Sequence, residues 1–238
     1  LVEKALDVAN KLVAAHFPNC SVALLAGSYV RGDDTATSDF DIVIIDDQYE
    51  LSFRQSFYFL NYPVECFVHN KESYKAYVEA DIERARPSLL NMIREGIVIQ
   101  DDGFASTLKA EIDSLYRKGP KKWSEQEEQL KRYLLTDILD DFMSCTNEQE
   151  ELFIAGQLLD QLHEYILRMN GYWIGSGKWI YRALERFDPE IAKEFGKAAQ
   201  LYYRNKNKTN LVNLTEKWLN KYGGKLFDGF QAGQIIKK

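Results

Sequence analysis

Apolar residues recur at helical spacing over residues 2–16, with Val2, Ala5, Leu6, Ala9, Leu12 and Val13 on one side. This predicts an amphipathic helix, closed near Pro18-Asn19. The period then changes. Two short aliphatic runs, Val22-Ala23-Leu24-Leu25 and Ile42-Val43-Ile44-Ile45, are each bounded by turn residues. Such runs read as buried strands, here over about 21–26 and 40–46. Residues 52–60, SFRQSFYFL, fit helix and strand equally well. Residues 63–69, PVECFVH, alternate, with Val64, Cys66 and Val68 on one face and Glu65, Phe67 and His69 on the other. They predict a third strand, with His69 at its end as polar surface. Helices follow over 71–84 and 87–95, the second opening near Pro87 and closed by Gly96. Ile97-Val98-Ile99-Gln100 reads as a short fourth strand, Asp101-Asp102-Gly103 as a turn, and 104–117 as a helix.

Gly119-Pro120 followed by Lys121-Lys122 combines chain breakers with a charge run, which predicts a domain boundary. Beyond it the pattern is helical only. Ser124-x-x-Glu127 is a capping box that opens a helix reaching about Met143. Further helices fit 147–169, 178–186, 189–203 and 209–221, with a three-glycine loop from Gly171 to Gly177. The default is a helical bundle. The tail from Gly223 is glycine-rich, and Lys237-Lys238 is expected to fray. The expected architecture is therefore α/β (α+β): a small mixed sheet with flanking helices over 1–119, then an all-α domain over 120–238.

Composition narrows the class. The chain has 238 residues, 45% of them hydrophobic and 13% aromatic, enough for a core without covalent staples. Its formal net charge is −6 and its pI about 5.3. This argues against a nucleic-acid partner, which wants a basic stripe, and leaves room for a cationic small molecule. Cys20, Cys66 and Cys145 are odd in number and far apart, so reduced thiols in the cytoplasm are the expectation. No apolar run approaches the length of about 18 residues that a membrane span needs.

The chemistry concentrates in residues 26–41, AGSYVRGDDTATSDFD. Gly27-Ser28 follows the first strand directly. A helical turn starting at Ser28 presents free backbone N–H groups, and glycine lets a phosphate approach the backbone closely. At the far end, Asp39 and Asp41 are two residues apart, about 6.6 Å along an extended chain and on one face. Carboxylate oxygens in this arrangement suit Mg²⁺, which keeps waters and takes further ligands from phosphate. Two such ions about 3.5–4 Å apart clamp the attacking and leaving oxygens of phosphoryl transfer. A charged pair leading straight into an aliphatic strand is costly unless used.

Gly27-Ser28, Arg31-Gly32 and Ser38-Asp39-Phe40-Asp41 before an aliphatic strand together resemble the signature of the DNA polymerase beta-type nucleotidyltransferases. Among these, the aminoglycoside and lincosamide nucleotidyltransferases that inactivate antibiotics are the most similar branch. The resemblance spans about the first hundred residues, with the helical second half similar in layout. It implies transfer of a nucleoside monophosphate, AMP from ATP, to a hydroxyl of a small acceptor, with two Mg²⁺ and release of pyrophosphate.

Position by position, the resemblance makes Asp39, Asp41 and Glu65 the metal ligands. Glu65 matches because the family takes its third carboxylate from the strand beside the Asp-x-Asp strand. The plainer reading of Glu65 is an exposed edge-strand glutamate. Gly27, Ser28, Arg31 and Ser38 match the nucleotide-binding positions. On the helix over 124–143, Asp137 and Asp141 share a face, and either matches the family's general base; Asp140 points elsewhere. The lysine that the family places one turn after that base is replaced by Cys145 when counted from Asp141. The missing charge then falls to Arg31, or to Lys178 and Arg182 after the glycine loop, which also reads as a plain connection. The resemblance places the cleft between the two domains, in a monomer or homodimer. The alternatives are a protein-modifying or antitoxin-type nucleotidyltransferase and a non-catalytic nucleotide-binding partner module.

Overall fold

A computed structural model of the chain describes residues 2–233. The expectation for Lys237-Lys238 lies outside them. The chain forms two compact units, Leu1–Gly119 and Pro120–Lys238.

In the first unit, α1 (Val2–His16) precedes β1 (Val22–Ala26), the single turn α2 (Ser28–Arg31) and β2 (Phe40–Ile45). Then come β3 (Phe53–Phe59), β4 (Tyr62–His69), α3 (Ser73–Glu83), α4 (Ser88–Glu95), β5 (Ile97–Asp101) and α5 (Ala105–Lys118). The five strands form one mixed sheet in the order β3-β4-β2-β1-β5. β2 and β4 are parallel; the other pairs are antiparallel.

The sheet's central strands are aliphatic because both their faces are covered. On one face, Ala23, Leu25, Ile42, Ile44, Val64, Cys66 and Val68 form one core cluster with Ala5, Val8, Ala9, Leu12 and Val13 of α1. On the other face, Val22, Leu24, Val43 and Ile45 are fully buried, and α4 packs on β1 and β2. Buried Asp81 fixes the start of α4: its Oδ2 accepts the N–H groups of Leu89 at 2.7 Å and Leu90 at 3.2 Å. Those are two of the free donors that every helix N-terminus carries.

The ambiguous residues 52–60 resolve as strand β3. Phe53, Phe57 and Phe59 pack against the α1 core, while Arg54, Ser56 and Tyr58 face away. β3 hairpins into β4 through Leu60-Asn61, with φ of 49° and 67°. Positive φ at both loop residues is what a two-residue hairpin of the I′ kind requires. Because β3 lies outside β4, Glu65 is not on an edge strand. His69 departs from the polar-surface expectation: it is 3% exposed, and its Nδ1 shares a 2.8 Å hydrogen bond with Ser52 Oγ. Burial in this setting pushes its pKa down to about 4.

The second unit contains only helices among the described residues: α6 (Glu125–Ser144), α7 (Glu148–Met169), α8 (Trp179–Phe187), α9 (Pro189–Asn205) and α10 (Thr209–Lys221). The capping box is present. Ser124 Oγ accepts the Glu127 N–H at 3.3 Å, and Glu127 Oε2 accepts the Ser124 N–H at 2.7 Å. Leu135, Ile138, Leu139 and Phe142 give α6 its buried stripe, packed on α7 and α10. The tail after α10 lies along α6, where the Leu226 N–H donates to Thr136 Oγ1 at 3.0 Å and Lys225 pairs with Asp140 at 2.7 Å. No helix of the described residues is long and apolar enough to cross a membrane.

Candidate metal and nucleotide site

The site begins where β1 ends. Ala26 pairs with Asp41 across the sheet, and Gly27 turns the chain out with φ of 77°. An ideal Cβ on Gly27 would stand 2.0 Å from Asp41 Oδ2. Glycine is required there twice over, by backbone conformation and by the carboxylate beside it. The turn from Ser28 to Arg31 is the one expected. Gly32 closes it in the left-handed conformation at φ 71°, its N–H donating to Ser28 O, to which the Asp33 N–H also donates at 3.1 Å. Ser28 is buried.

The polar loop that follows is held by its own residues. Ser38 Oγ accepts the Thr35 N–H at 2.8 Å, and the Ser38 N–H donates to Thr35 O at 3.0 Å. Ser38 therefore shapes the approach to the two aspartates. Asp39 stands one residue before β2 begins, and Asp41 lies within it. β2 and β4 run parallel with Asp41 directly opposite Glu65. Both side chains leave the sheet on the face opposite α1. One carboxylate oxygen from each of Asp39, Asp41 and Glu65 lies within 4.8 Å of the other two, and all three residues are half-buried.

Three acids this close raise each other's cost of ionisation. Asp41 carries this cost: burial, then the charges of Asp39 and Glu65, push its pKa up to about 6. Arg31 and Arg54 pull the other way without cancelling the effect. Hard oxygen donors, mutual repulsion and partial solvent access are what a divalent cation relieves. The residues present thus fit the metal implied by the resemblance.

Two cations border the cluster. Arg31, on α2, lies 3.5 Å from Asp33 and 3.6 Å from Glu95 of α4. Arg54, on β3, donates through Nη2 to Glu65 Oε1, and Ser56 Oγ donates to the same oxygen at 3.0 Å. Neither Arg54 nor Ser56 was expected from the sequence pattern. The signal was present all the same: with 52–60 as a strand hairpinned at Leu60-Asn61, counting back places Ser56 opposite Glu65 and Arg54 opposite Phe67.

The remaining candidates belong to the helical unit. Asp137 and Asp141 are both exposed on α6, whereas Asp140 is engaged by Lys225. Lys178 is exposed just before α8. The glycine loop has a local structural reason. Gly175 is buried against the Trp179 carbonyl, where a Cβ would come within 2.1 Å, and His163 Nε2 lies 3.2 Å from the Gly175 carbonyl oxygen. The Arg182 guanidinium lies 4.9 Å from the centre of the Trp179 ring. The structure thus gathers Gly27, Ser28, Arg31, Asp39, Asp41 and Glu65 at one end of the sheet, and places Asp137, Asp141 and Lys178 on helical elements of the second unit.

No protein-family model matches the chain, and no curated protein matches it. Among solved structures, one that does match is a nucleotidyltransferase-like protein from Exiguobacterium sibiricum. The two share 14% identity with a TM-score of 0.43, over 91% of this chain and 73% of that one.

Proposed function

We propose that the protein is a metal-dependent nucleotidyltransferase that moves AMP from ATP to a hydroxyl of a small acceptor of the aminoglycoside or lincosamide kind. One observation supports this above the others: Asp39, Asp41 and Glu65, from two adjacent strands, converge beside a glycine turn whose only tolerated residue is glycine. A surface cluster of acids has no need of that turn.

In this reading Asp39, Asp41 and Glu65 hold two Mg²⁺ ions. When bound, those ions supply electrostatic stabilisation of the charge that develops on the transferring phosphate. The backbone around Gly27 and Ser28 receives the triphosphate, and Arg31 adds positive charge along it. Ser38 keeps the loop into Asp39 in shape. The acceptor hydroxyl gives its proton to a base within hydrogen-bond reach. That oxygen then bonds to the α-phosphorus while the bond to the pyrophosphate oxygen breaks, and pyrophosphate leaves with the electron pair.

Pyrophosphate release with ATP, Mg²⁺ and an acceptor panel tests the reading, with thermal unfolding measured on the same samples. Asp39→Asn is expected to abolish release while the protein stays folded. Retained turnover in that variant would sink the assignment.

A further inference from the structure

Arg54 has a position that its neighbours explain only in part. Its guanidinium and the Ser56 hydroxyl both donate to one oxygen of Glu65, Oε1. The guanidinium centre lies 4.9 Å from the middle of the ring of Phe67, the residue opposite Arg54 on β4. Its outer side is open: the Arg54 side chain is 59% exposed and that of Glu65 17%. Asp41 and Asp39 also favour its charge. A protein cation therefore stands within the field of all three carboxylates. An ion pair open to water on one side is weak. A guanidinium, meanwhile, is the side chain whose fork best matches phosphate oxygens.

We propose that Arg54 is an exchange cation. It neutralises Glu65 in the metal-free protein, releases that carboxylate to the divalent ion, and turns to a phosphate oxygen of the incoming nucleotide. Ser56 stays on Oε1 throughout and keeps the Glu65 side chain in place, so the exchange moves one long, exposed side chain and no backbone. This inference rests on the metal reading above. It adds a step that reading does not contain: the binding of metal and of nucleotide is coupled through one arginine. A purely structural cross-strand pair makes the opposite demand, since removing it loosens Glu65 and weakens any ion held there.

The test is Mn²⁺ binding by calorimetry and by electron paramagnetic resonance, on the full chain. Wild type, Asp39→Asn, Arg54→Met and Arg54→Lys are compared, with and without α,β-methylene-ATP. Methionine keeps an unbranched stem against Phe67 and removes the charge. Without nucleotide, Arg54→Met is expected to bind Mn²⁺ about fivefold more tightly than wild type, the size of an exposed ion pair that no longer competes. With Mn²⁺ present, it is expected to bind the analogue about tenfold more weakly, and Arg54→Lys is expected to recover part of that loss. Unchanged or weaker Mn²⁺ binding in Arg54→Met overturns the exchange and leaves the metal site standing if Asp39→Asn still loses Mn²⁺. A wild-type protein that binds no Mn²⁺ overturns both.

Discussion

Asp41→Asn separates stability from function in a way that tests the site's electrostatics. In the folded, metal-free protein the Asp41 pKa is raised to about 6 from 3.8. Each pKa unit corresponds to about 1.36 kcal/mol, so the full shift is worth about 3 kcal/mol, and partial solvent access reduces it to about 2. The folded pKa lies above the unfolded one. As pH rises, the unfolded chain gives up this proton first, and the folded state is penalised progressively between about pH 4 and pH 6. Above pH 6 the penalty is complete; below pH 4 it is absent. Asparagine keeps the shape beside Gly27 and removes the charge. Asp41→Asn should therefore stabilise the protein in EDTA by about 2 kcal/mol at pH 7.5 and by nearly nothing at pH 4. Urea unfolding of both proteins at four pH values reads this directly, as a difference in which the other titrating groups cancel. Addition of Mg²⁺ should then reverse the order at pH 7.5, because only the wild type gains binding free energy. An Asp41→Asn protein that is less stable at pH 7.5 in EDTA, or whose advantage does not change with pH, would refute the reasoning.

Other expectations follow from single positions. Gly27→Ala must place a Cβ in backbone with φ of 77° and 2.0 Å from Asp41 Oδ2. It should cost about 2–4 kcal/mol in urea unfolding and remove Mn²⁺ binding together with Asp41's position. His69 is buried with a pKa lowered to about 4. Its neutral form is the folded one, so stability is fully present above about pH 6.5 and is lost as pH falls toward 4, by up to about 3 kcal/mol. A His69→Asn variant should show a flatter acid limb in the same unfolding series, and an unchanged slope between pH 6.5 and 4 would remove histidine from the account.

Much of this architecture is legible along the chain because it is local. The aliphatic runs of β1 and β2 have few alternatives, Ser124-x-x-Glu127 carries its own partners, and the breakers at Gly119-Pro120 fall where the two compact units divide. Asp39 and Asp41 sit on one face by periodicity alone. Glu65 could be matched only by family resemblance, since nothing local shows which strand lies beside β2. What stayed hidden depends on pairing across distance. The segment 52–60 carries aromatics at both helical and strand spacing. Only the Leu60-Asn61 hairpin decides between them, and with it the presence of Arg54 and Ser56 at the site. His69 is drawn inside by Ser52, seventeen residues earlier. Asp137 and Asp141 share one exposed helical face, so neither periodicity nor burial distinguishes them.

The central claim is that Asp39, Asp41 and Glu65 close on divalent metal beside a nucleotide. Anomalous diffraction from crystals grown with Mn²⁺ and α,β-methylene-ATP measures this most directly. The account requires an anomalous peak in direct contact with oxygens of all three carboxylates and of the triphosphate. A nucleotide bound elsewhere, or manganese that ignores Glu65, would contradict it.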